Sequence, residues 1–176
     1  MKIVFLKIMF IVFGITLMSD VFAQCKDRKP FYAIETDCAK QYSESSYLSD
    51  GQNYRALLKG NEIAEFHTTF YDENTYRIAA CTDVGGSLIF TIKDPKDNVL
   101  FTNKDHENAP YWDLEFNATL ECKIIIQLPP ETQELARGSV TAKETETNTE
   151  PDSLKETKDT TPQVSVCSVL IIGYKQ

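Results

Sequence analysis

Two histidines, a spread of carboxylates and several tyrosines are the side chains of this 176-residue sequence that could carry chemistry. A hydrolytic triad needs a nucleophile, a base and a third group that orients the base. No G-x-S-x-G elbow occurs, and His67 lies between Phe66 and Thr68 in an alternating segment, where a solvent-facing role is the default. His106 sits in the polar run Asn103-Lys104-Asp105-His106-Glu107-Asn108, again a surface setting. Zinc spacing of the H-E-x-x-H kind is absent.

The carboxylates offer two chemistries. Asp94, Asp97 and Asn98 share one loop, and oxygen-rich loops are what calcium takes. Asp105 and Glu107 lie beyond the intervening stretch Val99–Asn103, roughly 17 Å away at ~3.3 Å per extended residue. One ion therefore cannot bridge both groups, and a calcium site must draw on one loop plus backbone carbonyls. Ordinary turn formation accounts for Asp94-Pro95 and Asp97-Asn98 without any ligand. Asp113 and Glu115 project from one strand face about 7 Å apart, within the range of an inverting glycoside hydrolase. Alternating carboxylates on an exposed strand also occur with no function at all.

Aromatic pairs supply a third chemistry. Phe70-Tyr71 and Tyr111-Trp112 each place neighbouring rings on opposite strand faces, leaving Tyr71 and Tyr111 outward to stack on a sugar or a protein partner. The plainer reading makes Phe70 and Trp112 core and the tyrosines ordinary surface.

The elements that must hold these residues begin after a leader. Lys2 and Lys7, an apolar run from Ile8 to Met18 and the small residue closing Val21-Phe22-Ala23 make residues 1–23 a cleavable signal peptide. The run is too short to span a bilayer, so no membrane insertion is expected after cleavage. Gln24 ahead of Cys25 speaks against a lipid-modified cysteine. Cleavage leaves 16 basic and 25 acidic residues, a net −9, which argues against nucleic acid or anionic membrane as a partner.

Residues 24–52 form an N-terminal segment, with a short helix expected over Thr36–Leu48 from the i, i+4 spacing of Cys38 and Tyr42. Residues 53–176 read as one domain. Period-2 alternation marks strands at Asn53–Leu58, Glu62–Tyr71, Tyr76–Cys81, Ser87–Lys93, Val99–Phe101, Tyr111–Phe116 and Leu120–Leu128, and Val164–Ile172, almost wholly β-branched or apolar, suits a central strand. Turn-rich connections join them, with no long helical period between. The fold class is all-β: an antiparallel two-layer β-sandwich, jelly-roll-like, of about eight strands. Residues 131–162 hold many Thr, many acidic residues and no aromatic ring, and are read as a disordered acidic loop inserted before the last strand.

Export permits disulfides, and five cysteines are present: Cys25, Cys38, Cys81, Cys122 and Cys167. None has C-x-x-C spacing, and the odd number leaves at least one unpaired within the chain. Cys122 points inward with Leu120 and Ile124, as an inert core thiol would. Strand parity allows a Cys81–Cys167 bridge, and Cys25–Cys38 would tie down the N-terminal segment. Other pairings remain open.

Tyr76-Arg77-Ile78 with Cys81, Phe90-Thr91-Ile92-Lys93-Asp94, Asn98-Val99-Leu100-Phe101, Tyr111-Trp112-Asp113-Leu114 and the closing Cys167 with Val169-Leu170-Ile171-Ile172-Gly173-Tyr174 carry a resemblance. The chain resembles small exported single-domain β-sandwich proteins of unknown function from Gram-negative bacteria, and more distantly the GOLD-type and pre-peptidase C-terminal sandwiches. That resemblance implies a fold and a periplasmic or extracellular address, with no catalytic residues and no cofactor to carry over.

The expectation is thus an exported, non-catalytic binding or structural module whose partner is another envelope or extracellular protein, or a glycan. A calcium-stabilised adhesion or carbohydrate-binding domain and a carboxylate-based glycoside hydrolase are the alternatives.

Overall fold

Alternating apolar residues bury one face of each strand, and two sheets stacked on those faces make the interior. The computed structural model describes Cys25 and residues 29–42, 46–144 and 164–175; the expected leader, 1–23, lies outside the described residues. The strands are β1 (Leu48–Ser49), β2 (Tyr54–Lys59), β3 (Ile63–Phe70), β4 (Thr75–Thr82), β5 (Ile89–Lys93), β6 (Val99–Thr102), β7 (Tyr111–Glu115), β8 (Leu120–Gln127) and β9 (Ser165–Lys175). Sheet A runs β1-β9-β4-β7, with β2 also paired to β9, and sheet B runs β3-β8-β5-β6. All pairings are antiparallel. The expected all-β sandwich is what forms. Among the described residues, eight strands match the expected segments, and a ninth, β1, comes from the N-terminal segment and pairs Leu48 with Tyr174.

Between the sheets, Phe70, Phe90, Ile78, Ile92, Ile124 and Ile172 are all but fully buried. Phe70 stacks on Phe116 at 4.4 Å and meets Tyr76 edge-on at 4.8 Å, closing one end of the core. Asn103 closes another flank. Fully buried, its amide accepts from the Phe90 N–H (2.8 Å) and donates to the carbonyls of Leu88 (2.8 Å) and Ala109 (2.9 Å). That satisfies the polar group in the interior and sets the path from β6 to β7. A register shift between β5 and β6 at Ile92/Lys93 twists the β6 edge, a device that discourages further strand pairing.

The N-terminal helix, α1, spans Phe31–Tyr42, not Thr36–Leu48. Pro30 starts it: its carbonyl accepts from the N–H groups of Ala33 (2.9 Å) and Ile34 (3.2 Å). Ile34 and Cys38, at i and i+4, make the buried face. Thr36, expected at the start, sits mid-helix with its hydroxyl donating to the Tyr32 carbonyl.

This helix covers the outer face of sheet A. There Ile34 and Cys38 meet Ala79 of β4 and Cys167 and Val169 of β9, a second small core. The disulfides are Cys25–Cys167 and Cys38–Cys81, so the expected pairing Cys81–Cys167 and Cys25–Cys38 is corrected by an exchange of partners. The parity assignment stands, because Cys81 and Cys167 do share that outer face. Cys81 is opposite Val169 in the ladder, which sets the two cysteines on a diagonal. Both sulfurs turn outward to the helix layer and not toward each other.

The acidic stretch after β8 is likewise corrected in part. Pro130–Glu144 forms a helix, α2, and residues 145–163 lie outside the described residues. Pro130 occupies the first helical position, where its missing N–H costs nothing, and the Pro129 carbonyl accepts from Thr132 and Gln133. Two small residues dock the helix: Thr132 and Ala136, both fully buried. The Thr132 hydroxyl donates to the Ser87 carbonyl at 2.7 Å. Gly86 permits this approach, since a Cβ there would lie 2.5 Å from the Thr132 hydroxyl oxygen. A stripe this small leaves little hydrophobic signal to read.

Candidate binding groove

The outer face of sheet A gathers Arg77, Asp113 and the tyrosines Tyr42, Tyr47 and Tyr111. Antiparallel register sets Arg77 of β4 directly across from Asp113 of β7. Arg77 donates through Nε and Nη2 to the two Asp113 carboxylate oxygens (2.7 and 2.8 Å) and through Nη1 to the Tyr42 carbonyl (3.1 Å). Its guanidinium lies 4.6 Å from the ring centre of Tyr47 and 4.8 Å from that of Tyr111. Such a planar cation suits both a bidentate carboxylate and an aromatic face. Tyr111 in turn meets Tyr42 at 5.4 Å. Tyr111 is 40% exposed, so one neighbourhood holds the ring in place while another leaves it open to a partner.

Beside this cluster, a hollow of about 350 Å³ opens between α1, β4 and the β4–β5 turn. Asp37, Gln41 and Tyr42 line it from the helix, Ala80, Cys81 and Thr82 from the strand, and Gly85, Gly86 and Ser87 from the turn. Asp37 is ion-paired with Lys29 at the rim, and that partner holds its carboxyl below the usual range. The Cys38–Cys81 disulfide ties helix to strand in the wall. The hollow is therefore built into a cross-linked frame. A second hollow, about 300 Å³, lies across α1 against Ser49, Asp50, Gln52 and Asn53. Burial raises the Asp50 carboxyl there, and Asp50 accepts from Tyr54 Oη at 2.7 Å.

The sequence-derived candidates distribute as follows. Tyr111 belongs to the cluster. Tyr71, 59% exposed, follows β3 at the opposite end of β7, where its N–H donates to Tyr76 Oη (2.8 Å). The two tyrosines therefore do not form one site. In the Asp94 loop, Asp94 Oδ1 accepts from the N–H groups of Lys96 (2.8 Å) and Asn98 (2.9 Å), and Oδ2 accepts from Asn98 Nδ2 (2.8 Å). Asp97 pairs with Lys123 at 2.7 Å. Those carboxylates are engaged in shaping the turn. Among the described residues, no group of three His, Cys, Asp or Glu stands ready for a metal ion.

Asp113 and Glu115 both face outward from β7, an edge strand. The Arg77 hydrogen bonds hold the Asp113 carboxyl below the usual carboxylate range, the opposite of what a general acid requires. His67 is exposed on β3. His106 stacks on Trp112 at 4.1 Å and on Phe101 at 5.6 Å, which bolts the 103–106 turn to the sandwich flank. Cys122 is the free cysteine; it is buried, and burial pushes its thiol up to about 11.

Arg77, Tyr42 and Tyr47 are the members that sequence reasoning passed over. The usable signal was the opposite charge of Arg77 and Asp113 on two outward strand faces, which needs the β4–β7 pairing to become meaningful.

No protein-family model matches the sequence, and none of the curated proteins matches it either. Among solved structures, the chain is similar to PliG of Aeromonas hydrophila, described as a periplasmic lysozyme inhibitor of g-type lysozyme. The two share 12% identity over 73% of this chain and 91% of that one, at a TM-score of 0.42. A likeness that loose carries no functional argument. The GOLD-type and pre-peptidase resemblance stays an expectation from sequence.

Proposed function

We propose that this chain is an exported, non-catalytic binding module and that its recognition surface is the outer face of sheet A beside α1. The carrying observation is the arrangement of Tyr111, Tyr42 and Arg77 next to a hollow framed by the Cys38–Cys81 disulfide. Aromatic rings and an arginine fixed in advance lose little conformational freedom on binding, which is what an interface anchor requires. The hollow contains no nucleophile beside a base, and its charged pair, Lys29 and Asp37, is mutually neutralised. Two disulfides fit an oxidising compartment, periplasmic or extracellular. No described helix is long and apolar enough to cross a membrane.

The test immobilises the mature protein and probes it with native envelope extract and with a glycan array, beside Tyr111→Ala. Capture on either that falls sharply in the variant supports the reading. Capture unaffected by Tyr111→Ala, or none on both, overturns it.

A further inference from the structure

Resting on that reading, we infer that the 350 Å³ hollow is a subsite for a neutral saccharide unit. Its size lies within the ~300–1,000 Å³ of small-molecule sites. Its lining is graded in the way a sugar ring demands. Planar polar groups, the Asp37 carboxylate and the Gln41 amide, stand on the helix side, where they meet paired hydroxyls. The hydroxyl of Ser87 and the exposed backbone of Gly85 stand opposite, while the buried Thr82 hydroxyl donates to the Gly86 carbonyl (3.1 Å) and holds the turn in place. The Tyr42 ring, braced on Tyr111, offers a flat apolar surface for the C–H face of a pyranose. The β4 backbone at Ala80, whose methyl packs in the core between the sheets, lies beneath, and the disulfide fixes the wall beside it.

Other ligand classes fit less well. An anion meets a net acidic protein in a hollow whose one lysine is already paired with Asp37. A peptide added as a strand needs an open backbone edge, but β4 is paired on both sides, with β9 and with β7. A lipid chain needs an apolar slot, and this hollow is lined by polar groups on two walls. No titratable pair in it can cleave a glycosidic bond, so the sugar is held and released unchanged.

The experiment titrates the mature protein with maltotetraose, cellotetraose and the N-acetylglucosamine tetramer, with sialyllactose as an anionic control, and follows backbone amide NMR shifts. Shifts at Gln41, Gly85, Gly86 and Ser87 with a neutral oligosaccharide are expected. Gln41 is exposed, so Gln41→Ala leaves the thermal midpoint unchanged and weakens binding roughly five- to tenfold, the loss of about one hydrogen bond. Absence of shifts with all three, shifts confined to another face, response to sialyllactose alone, or full affinity in Gln41→Ala each overturns the assignment. Should Tyr111-dependent capture of a protein persist while the sugars fail, the saccharide subsite falls and the binding-module reading stands.

Discussion

Cys81 and Cys167 lie on adjacent strands of one sheet face and do not bond each other: each crosses to the N-terminal segment, Cys81 to Cys38 and Cys167 to Cys25. The consequence is that α1 is stapled to the sandwich at both the helix and the chain preceding it. The groove wall is thus covalently tied to the sheet beneath it.

Peptide mapping without reduction should give Cys25–Cys167 and Cys38–Cys81 linked peptides. Loop closure over separations of 142 and 43 residues corresponds to upper values of about 5 and about 4 kcal/mol for the two bridges. Cys38→Ala/Cys81→Ala therefore shows a lower urea midpoint than the parent protein. An unchanged midpoint contradicts a stapled helix.

Cys122 should be silent in the folded protein. Its burial and raised thiol pKa, about 11, leave almost no thiolate at neutral pH. A chromogenic aromatic disulfide reagent should find no reactive thiol in the native chain and one after unfolding in guanidinium. Rapid native labelling would mean that the sheet B core opens readily.

Replacing Asn103 by Ala strands the Phe90 N–H and the Leu88 and Ala109 carbonyls together. The expected loss is about 3 kcal/mol, since each buried orphan costs ~1–3 kcal/mol and partial relaxation recovers some of it. Denaturant unfolding measures it. A loss below ~1 kcal/mol would show that water replaces the amide.

Asp113 ties stability to pH. Its folded pKa is depressed by the Arg77 hydrogen bonds, so its contribution is present above the unfolded carboxyl value, ~3.9, and is lost as pH falls through the lower folded value. Wild type should exceed Asp113→Asn in thermal midpoint at neutral pH, and the gap should close below about pH 4. Half-exposure of the Asp113 side chain, 38%, keeps the gap modest. A gap that is constant with pH would remove the ion pair from the account.

Strand positions, their inward faces and the two-layer architecture were legible because alternation is a local property: Phe66, Ile78, Ile92 and Ile124 declare their faces without reference to any other strand. Tyr111 was legible as an outward aromatic for the same reason. The inert placement of Cys122 followed from parity as well. By itself, then, the sequence determined an all-β sandwich, a net acidic chain, and the strand faces of Cys81, Cys122 and Cys167.

Tertiary structure alone decided the rest, because pairing between distant segments is a matter of register and docking. Parity set Cys81 and Cys167 on one face, but only the seating of α1 over Ala79 and Val169 chose their partners. Polar composition concealed α2, whose fully buried docking residues are Thr132 and Ala136, set against a turn with a glycine at position 86. Arg77 and Asp113 became one unit only when β4 and β7 aligned, and Tyr42 joined them only when the helix was laid across that sheet. Local periodicity carries the direction of a side chain; what that side chain meets depends on energies summed over residues far apart in the chain.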